Sequence, residues 1–191
     1  MINDLAESFS EWCSDRSWLI RVPVALLMAH QAYHYLSDPY YSGFFSAITF
    51  GIHELGHVLF SPFGLWVSVL GGSFAQIAAP AITILLFWRQ PDYFAMTVGG
   101  VWLSTAAYEL AVYVEDASTM TLPLLSLSDE AYHDWNYLLT SINMLQSDQA
   151  IARFLRLCAG ALMVASLAAA VWMMWMMWRT AKRESIESNL D

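Results

Sequence analysis

An all-α fold, a polytopic membrane helix bundle of about five transmembrane helices behind a short N-terminal interfacial helix, is what the sequence predicts. Two observations carry the prediction. The 191 residues are 58% hydrophobic and only 13% charged, too apolar for an ordinary soluble domain. The apolar residues also fall in long runs rather than amphipathic stripes, the pattern of helices that cross a bilayer. Residues 17–178 are expected to form a single membrane domain, between an N-terminal segment 1–16 and a disordered polar tail 179–191. The net charge of −9 does not change this reading. The acids collect in the N-terminal segment, around 115–134 and in the tail, and nothing is basic enough for nucleic acid.

Residues 1–16 carry Asp4, Glu7, Glu11 and Asp15, with no Lys or Arg before Arg16. A secretory signal opens on a basic stretch, so none is expected. Ile2, Leu5, Phe9 and Trp12 share one helical side, which suits a helix lying on the bilayer surface. The first span is expected from Ser17 to Leu36, with Arg21 and Pro23 near its start and His30, Gln31 and His34 towards its end. Interhelical hydrogen bonding is the expected role of that polar trio. Asp38-Pro39-Tyr40-Tyr41-Ser42-Gly43 reverses the chain. The second span is Gly43 to Phe60, closed by Ser61-Pro62-Phe63-Gly64. The third, Leu65 to Trp88, is expected to be interrupted at Gly71-Gly72, Gln76 and Pro80. The fourth, Tyr93 to Val114, contains Glu109. A polar connection follows to about Tyr132, then a short helix from His133 to about Leu145, then the last span, Ile151 to Trp178. Cys13 and Cys158 fall in unlike surroundings and are not expected to pair.

Inside the second span lies His53-Glu54-Leu55-Gly56-His57. On a helix, His residues four apart share one face a turn apart. A Zn2+ ion can take both rings, with Glu54 beside them as general base on the water that the ion activates. Ionisable groups at membrane depth are costly and usually functional, which favours this reading over two core histidines. A catalytic zinc has three protein ligands as a rule. Spans two and four run the same way, so the end of span two and the 115–150 connection share one side of the membrane. At about 1.5 Å per residue, Glu109 comes level with the motif, whereas His30 and His34 approach from the other side. The third ligand is expected first at His133, then Asp134, then Asp116 and Glu109. Asp134 could instead accept the other N–H of a ligating imidazole.

His53-Glu54-Leu55-Gly56-His57 in a membrane helix resembles the site-2 protease class of intramembrane zinc metalloproteases. The resemblance implies hydrolysis of peptide bonds in or beside the bilayer. The chain departs from that class in lacking its Asn-Pro…Asp-Gly type motif, the source of the third ligand there. Gly71-Gly72-Ser73, Val112-Tyr113-Val114-Glu115-Asp116-Ala117 and His133-Asp134-Trp135-Asn136-Tyr137-Leu138-Leu139 resemble a group of small bacterial membrane proteins, over roughly residues 40–150. That second resemblance implies the bacterial inner (cytoplasmic) membrane. The function expected is therefore an intramembrane zinc metallopeptidase, with the lipid bilayer and a membrane-protein or peptide substrate as partners. A zinc-dependent hydrolase of lipid amides or esters, and a non-catalytic adaptor with a structural metal, are the alternatives.

Overall fold

The computed structural model describes Phe9, residues 11–122 and residues 133–187. Among these the chain is all-α, with helices α1 (Val22–Ser37), α2 (Ser46–Phe60), α3 (Leu65–Arg89), α4 (Tyr93–Glu115), α5 (Asp134–Ser141) and α6 (Asp148–Glu187). Local chemistry sets their ends. Pro23 lies in the first turn of α1, where its missing N–H costs nothing. Between α2 and α3 a single 3-10 turn, Ser61–Phe63, runs into Gly64 at φ 94°, a backbone state that glycine adopts without strain. Asp92 caps α4 by accepting the N–H of Ala95 at 3.1 Å.

Helix α4 is the centre of the bundle. Val101, Ala106, Ala111 and Val114 are fully buried along it. Helix α6 packs on one flank, where the Ser104 hydroxyl donates to the Ala159 carbonyl at 2.6 Å. Helix α1 closes the same side with Met28, Ala32 and Tyr35, which join Tyr108 and Met163 in the larger core. On the other flank α3 packs against α4, and α2 packs on α3 at the rim. A Cβ at Gly56 would lie 2.3 Å from the Gly71 carbonyl oxygen, so α2 and α3 meet at backbone contact.

Several expectations change. Two helical stretches, Leu65–Arg89 and Leu145–Lys182, are long and apolar enough to cross a membrane. Helices α1 and α2 are 16 and 15 residues long, short of the ~20 that a span needs. Helix α4, though 23 residues long, is not among the two stretches that are both long and apolar enough. The expected five-span bundle is thus reduced to two candidate spans among the described residues. Helix α3 is not interrupted. It continues through Gly71-Gly72, Gln76 and Pro80, because small residues there admit the backbone of α2 rather than break the helix. The segment 179–187, expected as disordered tail, prolongs α6, since a helix already nucleated needs no apolar face to propagate. The described part of the N-terminal segment docks on the bundle: Trp12 and Cys13 are buried, Trp12 meets Tyr93 edge-on at 5.3 Å and Phe9 stacks on Trp172 at 4.9 Å. Residues 1–8 and 188–191, and within the polar connection 123–132, lie outside the described residues.

Three elements are tied where α4 ends. Arg156 of α6 grips Glu115 with both terminal nitrogens, its guanidinium lies 5.2 Å over the Tyr40 ring, and the Tyr40 hydroxyl donates to Glu115 Oε2 at 2.8 Å. The pair is largely shielded, at 18% and 19% side-chain exposure. An Arg156→Met variant leaves Glu115 without its cation and is expected to lose about 1–3 kcal/mol, between the exposed and fully buried ranges. Thermal unfolding of the purified protein in detergent measures the loss. The double change with Glu115→Gln should recover part of it.

Candidate metal centre

The two histidines of the motif fall where helical spacing puts them, on the face of α2 that meets α3. Their nearer nitrogens converge: His53 Nε2 and His57 Nε2 are 3.0 Å apart. Asp134, the first residue of α5, brings one carboxylate oxygen to both, 3.0 Å from His53 Nε2 and 3.1 Å from His57 Nε2. His53 and Asp134 are buried and His57 half-buried. Three ligand atoms from α2 and α5 therefore form a small triangle that could hold a metal ion.

The partners of the outer ring nitrogens fix where the protons are. His57 Nδ1 lies 2.9 Å from the Ser68 carbonyl, which can only accept, so this nitrogen carries the hydrogen. His53 Nδ1 lies 2.9 Å from Gln76 Oε1. The amide of Gln76 cannot be turned round, because its NH2 donates to the Ala106 carbonyl at 2.9 Å. His53 Nδ1 must donate too. Both neutral rings then present bare Nε2 lone pairs to each other and to a carboxylate. A proton added to one ring satisfies one edge of that triangle, whereas a single cation satisfies all three corners. Bonds of about 2.1 Å to a tetrahedral ion need donor atoms roughly 3.4 Å apart, a spread of a few tenths of an ångström from what is observed.

Room for an ion is also built in. A Cβ at Gly72 would lie 2.5 Å from His57 Nε2 and 2.8 Å from His53 Nε2, so α3 supplies a gap where any other residue would fill the mouth of the triangle. Glu54, next to His53 on α2, is half-buried beside the cluster. Asp134 is itself buried, where a charged carboxylate calls for a positive partner. Its backbone N–H donates to the Tyr113 hydroxyl at 3.0 Å, and the indole N–H of the next residue, Trp135, donates to Ser73 Oγ at 3.1 Å.

Of the candidates for a third ligand, the second-ranked Asp134 joins the two histidines and the first-ranked His133 does not. His133 is turned away from the triangle: its Nδ1 accepts the backbone N–H of Asn136 at 3.2 Å, capping α5, and its Nε2 lies 3.2 Å from Asp116 Oδ2. Both nitrogens are engaged, and the side chain of the following residue enters the site instead. Asp116 is not at the triangle either. It accepts from the Thr119 and Thr121 hydroxyls and the Thr121 and Leu122 N–H groups. Burial opposes its charge, but these donors together hold its carboxyl well below the ordinary range. Glu109 is likewise elsewhere, bonded to the hydroxyls of Tyr35, at 2.8 Å, and Ser46. It comes level with the first turn of α2 and not with the motif, since α2 crosses α4 rather than running alongside it. His30 and His34 pair ring to ring at 4.4 Å, and His34 stacks on Tyr41 at 4.6 Å. Gln76, Ser68 and Tyr113 escaped the sequence reading. A glutamine in the middle of an apolar run was the visible signal for the first of them.

No protein-family model matches the chain, and neither a curated protein nor a solved structure matches it at a significant level.

Proposed function

We propose that this protein is an intramembrane zinc metallopeptidase, with His53, His57 and Asp134 as the metal ligands and Glu54 as the general base. The observation that carries the reading is the convergence of two imidazole lone pairs and a carboxylate oxygen, all within 3.1 Å of one another. Both rings are held in the metal-binding tautomer by their acceptors on α3. Two nitrogens and one oxygen suit zinc. When bound there, zinc supplies Lewis acidity, polarising the scissile carbonyl and making water a nucleophile at neutral pH.

The chain's own groups do the rest. Glu54 takes a proton from the attacking water as the C–O bond forms, and gives it to the departing amine as the C–N bond breaks. Gln76 and the Ser68 carbonyl hold the imidazoles fixed while charge develops, the usual duty of groups behind a metal ligand. The setting favours a substrate in the bilayer. Helix α2 turns one face to α3 and leaves Ile48, Phe50, Leu55, Val58 and Leu59 exposed on the other, an apolar flank next to Glu54. Exposed Leu85, Leu86 and Trp88 on α3 and Phe154, Leu157 and Val171 on α6 extend that surface, more than a water-soluble monomer usually presents. The bacterial inner membrane implied by the resemblance fits this coat.

Reconstitution tests the reading. Purified protein in vesicles with single-span peptides is expected to give peptide fragments by mass spectrometry, to lose the activity to a zinc chelator and to regain it on adding zinc. Fatty acids released from the vesicle lipids would move the assignment to a lipid hydrolase. Tightly held zinc with neither product would leave a structural site.

A further inference from the structure

Two residues that the sequence nominated as ligands, Asp116 and His133, take no part in the triangle. We propose that they are positioning residues: a latch between the end of α4 and the start of α5 that sets Asp134 at the metal. The inference rests on the metal reading above.

The chain arriving at Asp134 has to be fixed in register and in direction. His133 does both. Its Nδ1 caps α5 through the Asn136 N–H at 3.2 Å, which fixes the helix start. Since Nδ1 accepts that bond, Nε2 carries the proton of the neutral ring and donates it to Asp116 Oδ2 at 3.2 Å. Asp116 is a rigid anchor for it. Its two carboxylate oxygens take four further donors from residues 119–122, at 2.6 to 3.0 Å. The side chain of His133 is 1% exposed and that of Asp116 6%, so water does not compete for the bond.

The surrounding bonds run between the same two short stretches. Asn136 Nδ2 donates to the Ala117 carbonyl at 2.8 Å, and the Asp134 N–H donates to Tyr113 at 3.0 Å. Residues 113–122 and 133–136 are thereby zipped together. Each carries one half of what Asp134 requires, a fixed base and a fixed helix start. A one-residue slip of α5 would put Trp135 where the carboxylate belongs. Groups that orient a ligating side chain commonly govern metal affinity by 10–100-fold, and a latch of this kind is expected to fall in that range.

Cobalt(II) titration of the full-length protein in detergent is the test, because cobalt in a zinc site reports its ligand set by visible absorption. Asparagine at 133 can still cap α5 through its side-chain oxygen but is too short to reach Asp116. His133→Asn is therefore expected to bind cobalt about 10–100-fold more weakly, with a spectrum shifted towards that of Asp134→Ala, while metal-free thermal unfolding stays as in the parent. Asp116→Asn is expected to weaken cobalt binding alike, although its amide nitrogen also faces donors that the carboxylate accepted and lowers its metal-free stability. The double variant is expected to bind no more weakly than either single one, as for two halves of one device. Parent-like affinity and spectrum in His133→Asn would overturn the proposal, as would additive losses in the double variant. A fall in the metal-free unfolding temperature of His133→Asn that tracks its lost affinity would do the same. A parent protein that takes up no cobalt or zinc sinks the metal reading itself, and the latch with it, a result separable from the others because the parent is measured first.

Discussion

Glu54→Gln is expected to abolish turnover while leaving zinc in place. The substitution preserves the shape of a half-buried side chain on α2 and removes only its ability to take and return a proton. General acid–base catalysis by one positioned group contributes typically 10²–10⁴-fold, and in the proposed mechanism one carboxylate serves both the attack and the departure of the amine, so the loss belongs near the upper end. None of the three ligand atoms belongs to Glu54, and metal content measured on the same preparation should be unchanged. The pairing of the two measurements is what discriminates. Lost activity with lost zinc would make Glu54 a structural part of the site. Retained activity would remove it from the mechanism.

Gly72→Ala is expected to have the second large effect, on the metal itself. The added methyl would sit 2.5 Å from His57 Nε2 and 2.6 Å from His57 Cε1, closer than real Cβ atoms come to anything. The rings cannot simply swing aside, because their Nδ1 atoms are tethered to Gln76 and Ser68 of α3, the helix that carries Gly72. Relief has to come from α2 and α3 moving apart, and Gly56 against Gly71 shows that they have no slack. Overpacking of this sort costs about 1–3 kcal/mol. Zinc affinity should fall by about 100-fold, the upper end of the range for changes around a ligand set. Gly51→Ala is the control, because a Cβ there meets nothing within 4 Å. Equal zinc binding in the two variants would place the ion elsewhere.

What the sequence disclosed about the site was the part that depends on neighbours along the chain. His53, Glu54 and His57 are three positions on one helix, and their relation follows from helical geometry alone. The segment that brings Asp134 to the two histidines was also named in advance, on the expectation that spans two and four run the same way. Which residue of that segment reaches them was not. An imidazole outranked a carboxylate on chemistry, whereas the choice was made by which of two adjacent residues caps α5, a detail of dihedral angles. Glu109 was misplaced for a related reason. Counting rise per residue gives depth only for helices that run side by side, and α2 crosses α4 obliquely, pairing Ser46 with Glu109 and Thr49 with Trp102. Gln76 was visible as a polar residue in an apolar run. Its meaning came only once Ala106 and His53 were seen on either side of it.

The tethers behind the two imidazoles differ in heritability. One is the main-chain carbonyl of Ser68, which every residue type possesses, so drift at position 68 leaves the orientation of His57 intact. The other runs through the side chain of Gln76 to the main-chain carbonyl of Ala106. In a lineage accumulating substitutions, His53 is thus exposed to a single vulnerable codon, position 76, while His57 is insured by the backbone. Diverged copies that lose function are expected to lose the first histidine's orientation sooner than the second's.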